Sequence, residues 1–142
     1  MSFREIGAWI SLASIVVVFG FYFAEVGAAV RAGPVDPQAF LGQFVGSVVI
    51  LVLVQIGLGV VAAIATRASQ RDQTSRDERE RLIELKSTRA ALAIIQIGTV
   101  LGATAISLGA PAFVTANSLA FALVLSELVR LGAQIVYFRV GV

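Results

Sequence analysis

The chain contains no cysteine and no histidine. Without cysteine there is no disulfide, no thiolate nucleophile and no thiolate-ligated zinc or iron–sulfur centre. Without histidine there is no imidazole base and no histidine-ligated haem. No cofactor and no metal site is expected. Charge is scarce as well: 14% of the 142 residues are ionic and 58% are hydrophobic, where a soluble domain has about 25% and about 45–50%. Mean hydropathy is +0.90, and prolines number three.

What is present is apolar sequence in four long runs, each near the roughly 20 residues a helix needs to cross a hydrocarbon core about 30 Å thick. The fold expected is all-α: an integral membrane four-helix bundle of two helical hairpins, forming a single transmembrane domain. Helices are expected over about residues 3–24, 37–66, 76–110 and 117–138. The first opens on SFRE, where Ser2 and Glu5 have the form of a capping box. A signal peptide is the competing reading, but the uncharged run from Ile6 to Phe23 exceeds an h-region of about 7–15 residues, so a retained helix is expected. EVGAAVRAGPVDPQAF (25–40) reads as a solvated turn, with Asp36 as N-cap and Pro37 at the first helical position. The next run is uncharged from Pro37 to Thr66. After Pro111, candidate caps for the fourth helix are Thr115, Asn117 and Ser118.

Seven of the eleven basic residues lie between Arg67 and Arg89, interleaved with five acidic ones. A pI near 9.7 therefore reflects a cytoplasmic loop and not a nucleic-acid surface. Counting Lys and Arg near the helix ends places both termini and this loop in the cytoplasm, with Arg31 the one basic residue outside. Within the loop, SRDE at 75–78 is a second capping box, and Asp77, Glu78, Arg79, Glu80 and Arg81 form a self-paired helical extension of the third helix. Carboxylates alternating with arginines make a poor hard-cation cage, so this segment is expected to face a protein partner. Gly57-x-Gly59 lies in mid-membrane with no strand before it, which removes a dinucleotide reading.

In lipid, helices associate through small residues and interhelical hydrogen bonds. Candidate seams at spacing four are Gly42 with Gly46, Gly59 with Ala63, and Gly98 with Gly102. LVLSELVRLGAQ (123–134) carries Glu127 and Arg130 in a stretch otherwise uncharged from Ala90 to Phe138. With Gln134 they repeat at i, i+3 and i+7, one helical face. Counted from the cytoplasmic ends, Glu127, Arg130, Gln55, Gln96, Ser11 and Ser14 fall at a common depth, roughly 9–18 Å in at 1.5 Å per residue. A polar layer from four helices is expected there. Its functional reading is an ion or proton path through Glu127; its structural reading is an ion pair, Glu127 with Arg130 one turn away, that fixes helix register.

RDERERLIELKSTRAA (76–91) and LSELVRLGAQIVYFR (125–139) resemble matching segments of a group of small prokaryotic four-helix membrane proteins of unknown function. The likeness covers the second hairpin better than the first. It implies a multi-pass protein of a prokaryotic cytoplasmic (inner) membrane, with the loop and Glu127–Arg130 as the positions that carry the likeness and no catalytic residue to transfer. The function expected is non-enzymatic: an interaction, assembly or regulatory subunit working through the charged loop, with lipids, another membrane or cytoplasmic protein, or a second copy as partners. The alternative is a small ion- or proton-coupled channel or transporter using the Glu127/Arg130 layer.

Overall fold

The computed structural model describes residues 3–67 and 74–140, all of it four helices and their turns: α1 (Phe3–Ala32), α2 (Pro37–Arg67), α3 (Thr74–Ser107) and α4 (Ala112–Val140). Each is long and apolar enough to cross a membrane, so the chain has the build of a multi-pass membrane protein. The capping boxes expected at Ser2–Glu5 and Ser75–Glu78, and the side chains of Arg4, Ala63, Asp77 and Arg79, lie outside the described residues.

Helix α1 outlasts its expected end by two turns, because Glu25, Val26 and Arg31 are all used by the helix. Val26 is buried in the core, the Gln43 amide donates to the Glu25 carboxylate, and Arg31 Nε turns back to the Gly27 carbonyl at 2.9 Å. The connection shrinks to four residues, with Gly33 at φ 135°, a backbone conformation that L side chains rarely adopt. Asp36 Oδ1 then accepts from Gln38 N at 3.0 Å, capping α2 behind Pro37.

Between α3 and α4 the chain turns on Gly109 at φ 77°. Gly109 N donates to Ile106 O and Ala110 N to Ala105 O, both at 3.0 Å, the paired bonds of a Schellman motif. Helix α3 therefore ends at Ser107, short of the expected 110, and α4 starts directly after Pro111. The three residues expected to cap α4 instead lie inside it. Thr115, Asn117 and Ser118 donate to the carbonyls of Pro111, Phe113 and Val114, four residues back.

The principal contacts are α3 with α4, α1 with α4, and α1 with α2. Spatial order is thus α2–α1–α4–α3, with α1 and α4 central. Phe40 and Phe113 join α2 to α4 at the turn end, ring centroids 5.5 Å apart. The seams follow a 3-4 spacing: Glu5, Ala8, Leu12, Ile15, Phe19, Tyr22 and Val26 on α1, and Val124, Leu128, Leu131 and Ile135 on α4. That spacing is the heptad pattern of interdigitating antiparallel helices.

Helix α3 meets α4 differently. A Cβ added to Gly98 would lie 2.3 Å from the Ala122 Cβ, and one on Gly102 2.5 Å from Leu119 Cδ2. The backbones approach that closely because the side chains are absent. The seam extends through Ala91 and Ser87 to Ile83, all buried. Gly42, Gly46 and Gly59, expected as seams of α2, are not packing positions: a Cβ on any of them meets nothing within 4 Å. Among the described residues, the apolar span of their helix has the smallest buried share of the four.

Candidate functional site

The polar residues at membrane depth do not merge into one network. Arg130 directs two guanidinium nitrogens at one oxygen, Glu127 Oε2, with Nε at 2.9 Å and Nη2 at 2.8 Å. The pair closes on adjacent turns of α4, and its side chains keep 32% (Arg130) and 43% (Glu127) of their surface exposed. Along α4, Glu127 lies about 18 Å from Arg139 and about 24 Å from Pro111 at 1.5 Å per residue. Gln134, on the same face, is half-buried.

On the neighbouring pair of helices, Ser11 Oγ donates to Gln55 Oε1 at 3.1 Å, a direct α1–α2 bond. Ser14 departs from the expected layer. Its hydroxyl donates to Ile10 O within its own helix at 2.8 Å, and Gln96 is exposed on α3. The reason is general in apolar helices: a serine or threonine satisfies its hydroxyl on the carbonyl three or four residues back. Thr99, Thr104, Ser107 and the buried Ser87 and Ser126 all do so.

Three polar contacts between helices fall outside the expected layer: the Gln43–Glu25 bond described above and two more. Tyr22 Oη donates to Asn117 Oδ1 at 2.7 Å, while Asn117 Nδ2 donates to Phe113 O at 2.9 Å. Tyr22 sits in an aromatic cluster with Phe19, Phe23 and Phe44, and Asn117 is one of the residues read as a cap. At the opposite end, Arg139 Nε meets Glu5 Oε1 at 3.3 Å and its guanidinium lies 5.7 Å from the centroid of the Trp9 ring. The available signal was charge sign: an acidic first turn on α1 and a basic last turn on α4 are natural partners when the helices run antiparallel.

The loop-proximal part of α3 is helical, with one side buried. Ile83 is 1% exposed and Ser87 is fully buried, so the helix is fixed on that side. Its other side displays Glu78, Leu82, Leu85 and Arg89 at spacings of 4, 3 and 4, all exposed, with Arg81 and Lys86 alongside. Glu80 is half-buried. Leu82 and Leu85 keep 54% and 51% of their surface open.

Two cavities flank α4. One of about 620 Å³ lies between α1, α3 and α4; another of about 320 Å³ lies between α1, α2 and α4 beside Tyr22, Phe40 and Phe44. Neither has Glu127 or Arg130 in its lining. Compared with family models, with characterised proteins and with solved structures, the chain matches none.

Proposed function

We propose that the protein is a non-enzymatic membrane subunit that assembles with another protein through the exposed stripe of α3. The observation that carries this reading is Glu78–Leu82–Leu85–Arg89, a 3-4 stripe on a helix whose opposite side is already buried. At 34 residues, α3 measures about 51 Å against a hydrocarbon core of about 30 Å, an excess of roughly 20 Å that this reading assigns to its loop end. Two leucines exposed in water between terminal charges are the face that a partner helix covers by interdigitation. The basic residues of the loop support a cytoplasmic location for this end, with both chain termini on the same side.

Site-specific photocrosslinking at Leu85 in intact cells tests the reading. A discrete adduct lost on Leu82→Asp is the expected result. An adduct that persists with Leu82→Asp, or no adduct at all, defeats docking through this stripe.

One observation favours a second reading, transport. Both guanidinium contacts of Arg130 converge on Glu127 Oε2, and the Glu127 side chain is 43% exposed. A carboxylate reachable at membrane depth is the element a proton-coupled path requires. Proteoliposomes containing the protein would then show pH-driven flux that Glu127→Gln abolishes; equal flux from protein-free vesicles rejects transport.

A further inference from the structure

The 620 Å³ cavity is an elongated slot, and its shape, lining and rim point to one occupant. On α3 its lining runs from Ile94 to Ala105, and on α4 from Phe113 to Leu125. At 1.5 Å per residue these spans are about 17 and 18 Å. The slot begins at the turn end of the helices and stops near mid-depth, close to the roughly 15 Å depth of one leaflet of a 30 Å core. Phe23, Ile97, Leu101 and Phe121 make the walls apolar. Its volume falls within the roughly 300–1,000 Å³ of small-molecule sites.

The rim carries a cation. Arg31 Nε is held by the Gly27 carbonyl at 2.9 Å, and a Cβ on Gly27, itself a lining residue, would sit 3.8 Å from Arg31 Nη2. The guanidinium therefore lies beside Gly27, at the turn end of the slot's α1 wall. Its Nε is engaged with the carbonyl, while among the described residues the terminal nitrogens have no partner, and the side chain is exposed. A guanidinium presents paired donors that match a phosphate.

We propose that this slot binds an anionic phospholipid of the leaflet at the turn end, with one acyl chain between α1 and α3 and the phosphodiester on Arg31. The site depends on the helices spanning a membrane but not on their orientation or on the partner of α3. The groove supplies depth without specificity; Arg31 supplies preference for net negative headgroups. One basic residue at a membrane surface contributes about a fivefold preference for anionic lipid.

The test titrates purified protein in neutral detergent with phosphatidylglycerol, phosphatidylcholine or inorganic phosphate, following the thermal midpoint and the bound lipid by native mass spectrometry. Phosphatidylglycerol is expected to bind as a single retained copy about fivefold more tightly than phosphatidylcholine, with inorganic phosphate inert. Arg31→Ala should bring the two lipids level, and Arg31→Lys should restore part of the difference. Ser118→Phe and, separately, Ala105→Leu fill the slot from α4 and α3, and either should remove the retained lipid while leaving helicity by circular dichroism unchanged. Equal binding of the two lipids to the unaltered protein overturns the proposal, as does a preference that survives Arg31→Ala. Retention unaffected by both slot-filling variants, or a response to phosphate alone, equally rejects an acyl-chain site.

Discussion

Glu127 and Arg130 show what a charge at membrane depth requires. Inserting either ion alone costs about 2.5–3.5 kcal/mol on translocon scales. The short contacts of the pair offset part of that, and their exposure keeps the net value modest. Removing one partner leaves the other uncompensated, whereas removing both removes the problem. Arg130→Leu or Glu127→Leu alone is therefore expected to destabilise the fold by about 1–3 kcal/mol, and the double variant by less than either single one. Reversible unfolding in mixed micelles provides the check; additive losses would assign the pair no register role. The same principle explains why Ser14 was legible as polar but not as a network member. A hydroxyl in an apolar helix has a carbonyl partner one turn back, so its presence in the sequence says nothing about a neighbour.

Among the elements, α3 and α4 are joined by the most specific geometry. An alanine at Gly98 would bring its Cβ against the Cβ of Ala122, which cannot turn away, while one at Gly102 would meet Cδ2 and Cγ of the Leu119 side chain, which a change of rotamer can move. Gly98→Ala is expected to cost about 1–3 kcal/mol through overpacking and Gly102→Ala clearly less. Ala122→Gly combined with Gly98→Ala should recover most of the loss, because the offending atom is removed. Thermal unfolding of the two single variants and the double variant decides this. The spacing of Gly98 and Gly102 was visible in the sequence, but so was that of Gly42 and Gly46, where the structure has open space. Four-residue spacing allows close approach; whether a helix comes to fill it depends on which helix is adjacent.

At the scale of the whole molecule, the row α2–α1–α4–α3 leaves the outer helices with broad apolar faces, and lipid solvates these without cost. The orientation proposed above rests on the basic loop. Because the natural chain is free of cysteine, single replacements report topology directly. Glu78→Cys is expected to react with a membrane-impermeant thiol reagent only after the cells are opened, and Pro34→Cys in intact cells. The reverse pattern would place the basic loop and both termini outside, and with them the stripe of Leu82 and Leu85.

Composition and run length alone determined that the chain makes four membrane-length helices, because a hydrocarbon solvent permits little else for apolar segments of this size. Local chemistry determined the cap at Asp36–Pro37 and the stop near Gly109. Only the tertiary structure decided the extra turns of α1, since Glu25 and Arg31 look like loop residues until Gln43 and the Gly27 carbonyl receive them. It also decided the heptad seams, which are invisible in helices that are apolar all round, and the bonds Tyr22–Asn117 and Glu5–Arg139. These last contacts join residues more than ninety positions apart, and neighbour identity at that distance is a property of packing and not of any local pattern.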